Sequence, residues 1–302
     1  MTRVATIPIQ RNLASAIQRS QQKLAETQLQ LATGKKAHDY ASLGTETVRH
    51  ISARTIVARH EAHTLVAERV STTLSLYDAH LTGIDDSTTD LRTKILTAVG
   101  TEQSAGLQEA IEQAFQQFRS SLNAAEGGLP MFAGSRTDEA PFHPKTLAEV
   151  ATTNLSDAFT DDTIRASARV ADSIDVEYGA LASEVGSDLY LAFKKLAEAG
   201  TIGDKPTAAQ MTALKEATDL IDTGLVSLRT ANAENGRKQN QIEGLGERAY
   251  ERTMLLMDLI GKNEDADLAQ VATDLAQQQT TLKASFSVFS QLSGLTLSDY
   301  LR

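Results

Sequence analysis

Apolar positions in this chain fall into long runs with alternating steps of three and four residues, interrupted by one interval where that rhythm breaks. Near the C-terminus, Leu268, Leu275, Leu282 and Phe289 form one seven-residue column, and Val271, Gln278, Ser285 and Leu292 form its companion. That spacing describes a helix with a narrow seam that packs along a partner helix. Near the start, Leu13, Ile17, Ser20, Leu24, Thr27 and Leu31 repeat the design. Each of these two helices has one solid apolar column and one diluted by polar residues. The first eight residues, with Pro8, read as a flexible lead. Gly34 is placed to close the first helix in a left-handed cap, where Lys35 and Lys36 suit the C-terminal dipole.

Two longer runs lie between them. After a loop over 37–44, Ile56, His63, Val70, Tyr77, Ile84, Leu91 and Ala98 recur every seven residues, with His60, Ala67, Leu74, Leu81, Thr88 and Ile95 in the companion column. This predicts a rod of roughly 65 Å. Gly100 is placed to end it, and Thr101 to cap a helix whose inner face is Leu107, Ile111, Ala114, Phe115, Phe118 and Leu122. The second long run opens on a capping box, Thr207 with Gln210. It continues through Leu214, Thr218, Ile221, Leu225, Leu228, Asn232, Asn235, Gln239, Ile242, Gly246, Ala249, Thr253, Leu256 and Ile260. Its length is roughly 70 Å. Asn232, Asn235 and Gln239 put polar groups in its seam, which lowers stability but fixes register. Gly261 is placed to end it, and residues 263–267 to cap the last helix.

The rhythm breaks over 123–142, where Gly127, Gly128, Pro130, Gly134 and Pro141 mark turns and Met131 and Phe132 read as exposed apolar residues. Further on, Ile174, Val176 and Tyr178 alternate with Ser173, Asp175 and Glu177, and 165–171 alternates more weakly. The pair reads as a β-hairpin turning near Asp172. A short amphipathic helix follows, with Ser187 as N-cap and Leu189, Phe193 and Leu196 inside.

The order is short rod, long rod, insertion, long rod, short rod. Matched long rods pair antiparallel and bring both chain ends to one place, so the seam of the last helix meets that of the first. The expected fold is mainly α, with long antiparallel helical rods, a terminal coiled coil formed from both chain ends and a small α+β inserted domain. The expected boundaries are 1–40 with 264–302 for the coiled coil, 41–144 with 206–263 for the rods, and 145–205 for the insertion. Helices of ~20 to 25 residues with half-polar columns bury little surface, so the terminal pair is marginal alone and ordered against other subunits.

Composition narrows the chemistry. A net charge of −10 over 302 residues argues against nucleic acid or an anionic membrane as main partner. With no cysteine, disulfides, thiolate metal sites and a cysteine nucleophile are excluded. No run reaches the ~20 apolar residues of a membrane span, and residues 1–10 lack the apolar core of a cleavable signal. The chain is therefore expected in the cytosol or exported by a route without such a signal.

His60 and His63 have a spacing that can hold a metal, but both fall on the seam and no third ligand is identifiable. Thr33, Gly34, Lys35 and Lys36 echo a phosphate loop but have Leu29 where its first glycine belongs. Gly244 and Gly246 follow no strand and read as a place where another helix approaches closely. The acidic pairs Asp85 with Asp86, Asp161 with Asp162, and Glu264 with Asp265 read as solvated faces and helix starts. No catalytic residue, metal site or cofactor site is expected, and none of the six histidines sits in a catalytic motif.

Three segments carry a family resemblance. LATGKKAHDY (31–40) resembles the close of the first helix in bacterial flagellins and their relatives, and NEDADLAQVATDLAQQQTTLKAS (263–285) resembles their C-terminal segment. LNAAEGGLPMFAGSRTDEAPF (122–142) and the ending LSGLTLSDYLR (292–302) resemble the hook-filament junction members of that superfamily. Tyr40, Ala41 and Ser42 stand where the family has Asp-Pro, and Leu129, Pro130 and Met131 where Tyr-Leu is usual.

The resemblance implies a structural, non-enzymatic component of the bacterial flagellum that is extracellular and exported without a cleavable signal peptide. Its implied partners are itself in a ring of subunits, another hook-associated protein on the hook side, flagellin on the filament side, and an export chaperone on the C-terminal helix. The assembly interface is expected at Leu13, Ile17, Leu24, Leu31, Leu268, Val271, Leu275, Leu282, Phe289 and Leu292, and a junction loop at Gly127, Gly128, Met131 and Phe132. The alternatives are a filament-forming flagellin and, from another class, a cytosolic coiled-coil binding module.

Overall fold

The computed structural model describes residues 3–37 and 47–298, with side chains over 11–37 and 47–291. Eight helices and two small hairpins follow in order among the described residues: α1 (Arg3–Thr33), α2 (Thr47–Thr101), α3 (Leu107–Leu122), β1 (Ala125–Glu126), β2 (Leu129–Pro130), α4 (Leu147–Thr152), α5 (Leu155–Ala158), β3 (Ala166–Ala171), β4 (Ile174–Tyr178), α6 (Ala182–Glu198), α7 (Ala208–Glu264) and α8 (Leu268–Ser298). They form two compact units. The larger spans 59–251, and the smaller combines 1–58 with 252–302.

In the larger unit α2 and α7 run antiparallel. Asp85 takes a two-pronged bond from Arg229 at 2.7 Å, Arg92 bonds Asp222, and Asn235 Nδ2 donates to the Leu74 carbonyl at 2.9 Å. Gln239 Nε2 donates to Ser75 Oγ and Ser71 Oγ to Glu243, so the polar stretch of the α7 seam is spent on register. The heptad columns are the buried columns: Ala67, Val70, Leu74, Tyr77, Leu81, Ile84, Leu91, Ile95 and Ala98 on α2, against Leu214, Ile221, Leu225, Leu228, Ile242 and Ala249 on α7. Gly246 lets the pair close up, because a Cβ there would stand 2.9 Å from that of Ala67.

α3 and α6 complete the main core with Phe115, Phe118, Phe193 and Tyr190, all buried in edge-on or tilted ring contacts. The expected start and stop signals move here. α2 continues through Gly100 to Thr101, whose hydroxyl donates back to Thr97; α3 starts instead after Gly106, held at φ 75° without a side-chain cap. α6 begins at Ala182, so Ser187 lies inside it and donates to the Ser183 carbonyl. Asp161 serves the helix start by accepting from Ser183 N and Oγ. The thirteen residues from Asp161 to Ser173 include β3, which turns back at Asp172 and Ser173 and pairs with β4. Its buried face, Val170 with Val176, lies on Ala67, Val70, Leu74, Ile242 and Leu245 in a second, smaller core.

The turn-rich segment 123–142 is a closed loop. The Asn123 side chain clamps the Phe142 backbone in both directions, Nδ2 to O at 2.8 Å and N to Oδ1 at 3.0 Å. Gly127 and Gly128, at φ 60° and 88°, form the two-residue turn between β1 and β2. Met131 and Phe132 are not exposed, as their sequence context implies, but 8% and 0% accessible. Tyr77 donates its hydroxyl to the Met131 carbonyl and stacks edge-on against Phe132, which turns two apolar loop residues into anchors on α2. The apolar side chain this hairpin does present is Leu129.

Candidate assembly surface

The smaller unit is built differently. α1 is already helical at Arg3, so Pro8 lies within a helix and not in a lead; it removes one hydrogen bond of the early turns, which the continuing helix tolerates. At the other end Gly34, φ 69°, caps α1 with its N–H on the Gln30 carbonyl. α7 runs through Gly261 to Glu264, and Asp267 then caps α8 by accepting from the N–H groups of Ala269 and Gln270. The two ends are stitched together: Ala266 N–H donates to the Gly34 carbonyl at 2.9 Å and Lys36 N–H to the Glu264 carbonyl at 2.7 Å. α1 and α8 therefore pack antiparallel from a shared end.

Burial along α1 picks out Leu13, Ile17, Ser20, Leu24 and Thr27, and along α8 Val271, Leu275, Gln278, Leu282, Ser285 and Phe289. Two of the seam residues expected from sequence stand outside it, Leu31 at 39% and Leu268 at 50% exposed. The Leu292 side chain lies outside the described residues. On α2 the inward residues of this unit are His50 and Val57, while Ile56 faces out. A strict seven-residue column drifts by about 20° per heptad around a helix of 3.6 residues per turn, and at the ends of the runs that drift exchanges neighbours.

What these helices leave uncovered is more telling than what they bury. Among the described residues, the buried large apolar side chains of this unit are Ile17, Val57 and Val271. Twelve of the twenty exposed ones belong to it: Leu29, Leu31, Val48, Ile51, Ile56, Met254, Leu255, Met257, Leu259, Leu268, Phe286 and Val288. Full burial of one such side chain stabilises by about 1.5–3 kcal/mol, so a face of this composition has a strong drive to be covered.

The shared end is polar. Glu264 is its centre, with Arg54 Nη2 at 2.8 Å, Lys35 Nζ at 3.2 Å and the His50 ring against the same carboxylate. Lys35 also bonds Asp265 at 2.6 Å, and Lys36 donates to the Lys262 carbonyl. Burial by itself would raise the Glu264 carboxyl, but hydrogen bonds from Arg54 and Lys35, with the charges of Arg54 and His50, outweigh it and hold it below the usual range. Lys35 is held above the ordinary lysine range, by Asp265 first and then Glu264. Glu264 is thus not the solvated acid its sequence context implies, for its side chain is only 12% exposed. No local pattern reveals this, because the partners come from 35, 50 and 54.

Elsewhere the chemistry is sparse. His60 and His63 have ring centroids 6.4 Å apart, and His63 lies 3.4 Å from Asp172, which also meets Arg59 at 3.5 Å. Among the described residues no group of three His, Cys, Asp or Glu gathers as a ligand set, and no helix is long and apolar enough to cross a membrane. A depression beside α3 and α4 is an open groove lined by Gln113, Gln116, Gln117, Glu109, Glu112 and Arg119, with Phe115 and Leu147.

Residues 4–137 match the family model described as the bacterial flagellin N-terminal helical region. The chain is also 25% identical over 292 residues to flagellar hook-associated protein 3 of Escherichia coli strain K12, covering 89% of this chain and 90% of that one. The chain is similar to bacterial flagellins over its N-terminal part and to a hook-associated protein over most of its length. Solved structures share the chain's fold. One from Vibrio parahaemolyticus, provisionally assigned as a flagellar hook-associated protein, aligns with TM-score 0.61 at 17% identity over 72% of this chain and 97% of its own. FlgL of Bacillus cereus aligns with TM-score 0.56 at 15% identity over 70% and 98%. The matched region thus takes in α1 from residue 4, all of α2 and α3 and the first part of the closed loop, and the similarity to the hook-associated relative covers 89% of the chain.

Proposed function

We propose that this protein is a member of the flagellin superfamily and a structural adaptor that joins hook to filament in the bacterial flagellum, working by helix packing and without catalysis. The observation that carries this reading is the pairing of an autonomous core with a terminal unit whose apolar side chains mostly face outward. The similarity to hook-associated protein 3 supports the junction assignment over a filament-forming flagellin. The working surface is the α1–α8 pair: Leu13, Ile17, Leu24, Val271, Leu275, Leu282 and Phe289 set the pairing, and Leu31 and Leu268 face the next subunit. The closed loop at Gly127 and Gly128 presents Leu129, with Met131 and Phe132 as its anchors. Its partners are further copies in a ring, a second hook-associated protein and flagellin, and an export chaperone holds the C-terminal helix before the chain leaves the cell unfolded.

Immunogold labelling of isolated flagella tests this. Label confined to the boundary between hook and filament is expected. Label along the filament supports the flagellin alternative, and absence from flagella leaves a cytosolic coiled-coil module.

A further inference from the structure

The outward face of α3 carries a stripe of polar residues at steps of three and four: Glu109, Glu112, Gln116, Arg119 and Asn123, all lining the groove beside α4. Asn123 is spent on the clamp of Phe142, and Gln116 Nε2 reaches the Lys145 carbonyl at 3.3 Å. Glu112 takes a hydrogen bond from Gln108 at 2.9 Å. The charges of the stripe are not spent on ion pairs, since Glu109, Glu112 and Arg119 make none among the described residues. Arg119 is half-buried, and its Nε is enclosed with no hydrogen-bond partner among the described residues.

The dipole of α3 accounts for acids near its start and a base near its end. It does not account for a guanidinium sunk into a groove with its Nε–H unanswered, an arrangement that is unfavourable until an acceptor arrives. The stripe is also close to symmetric about Gln116: Glu109 and Asn123 stand seven residues to either side, and Glu112 and Arg119 four and three. Two such helices laid antiparallel about a two-fold axis at Gln116 set each Glu112 beside the other's Arg119. The mismatch is one residue, about 1.5 Å along the axis, which long side chains absorb. A parallel pair would instead set acid on acid and base on base.

We propose that the groove beside α3 docks the α3 helix of a second copy of this chain, antiparallel across a two-fold axis at Gln116, with Glu112 and Arg119 paired between the copies. Such a contact closes at two copies, whereas a ring is built from head-to-tail contacts, so this surface is separate from the one that propagates an assembly. No large apolar side chain is exposed on α3, so the contact is weak and sensitive to salt. The inference goes beyond the adaptor reading and does not rest on it.

The chain has no cysteine, so a single introduced one reports the contact. Full-length Gln116→Cys, at low salt with copper–phenanthroline as oxidant, is expected to form a disulfide-linked dimer at least about tenfold faster than Lys215→Cys, because a two-fold axis sets position 116 against itself. Lys215 is an exposed residue of α7 and serves as the reference for chance collisions. In the Gln116→Cys background, Glu112→Arg and Arg119→Glu are each expected to slow the dimer at least about fivefold, and the two together to restore it to within about twofold. High salt should slow the parent and the double variant alike. Each variant should keep the circular dichroism of the wild type. Equal rates at positions 116 and 215 overturn the proposal, and so does a double variant that folds but stays as slow as the single ones.

Discussion

At the scale of single residues, two glycines of one helix make opposite demands. A Cβ on Gly224 would stand 2.6 Å from Leu189 Cδ2 and 2.9 Å from the Leu189 backbone nitrogen, whereas one on Gly236 would meet nothing within 4 Å. Gly236→Ala should therefore stabilise by about 0.5–1 kcal/mol through helix propensity. Gly224→Ala should destabilise by about 1–3 kcal/mol in spite of the same propensity gain, because the backbone must move. Urea unfolding of the two variants checks the signs. Glu264 makes a second prediction. Its folded carboxyl titrates below its unfolded value, so its charge stabilises fully above the unfolded pKa, and that contribution is lost as pH falls through the folded one. Protection of the smaller unit should decline across that acidic window in the wild type and lack this component in Glu264→Gln. Residues whose role is local, such as Gly34 as a cap or Thr207 with Gln210 as a capping box, were legible in sequence. Glu264 was not, because its meaning lies in side chains 210 to 229 positions away.

At the scale of elements, the three-four rhythm located every long helix, and the two-residue rhythm located the β3–β4 hairpin. Boundaries were less legible. Gly100, Gly261 and Pro8 are strong punctuation, yet each lies inside a helix; for the two glycines, packing of the long rods outweighs about 1 kcal/mol of glycine cost. The short helices α4 and α5 carry too few turns to show a period. The loop residues Met131 and Phe132 were misread because burial under Tyr77 and beside α6 leaves no mark on their own segment. For the terminal pair, the diluted seam predicts a measurable gain. Gln278→Leu replaces an unsatisfied buried oxygen with an apolar side chain and should stabilise the α1–α8 pair by about 1–2 kcal/mol, read as slower exchange of α8 amides. Leu282→Asp puts a charge in the same seam and should block incorporation into flagella while leaving the circular dichroism of the larger unit in place.

At the scale of the whole molecule, the two units divide the work. The larger one has an extended aromatic and aliphatic core; the smaller carries twelve exposed large apolar side chains among its described residues. Removing residues 268–302 should therefore leave a soluble, helical protein whose main urea transition is unchanged and which no longer enters flagella. Incorporation of the truncated chain would remove α8 from the account. The adaptor assignment itself is tested most directly by complementation. Expressed in a strain that lacks its own hook-filament junction protein, the chain should restore motility, and in a strain lacking flagellin it should not. Motility restored only in the flagellin-deficient strain would contradict the account.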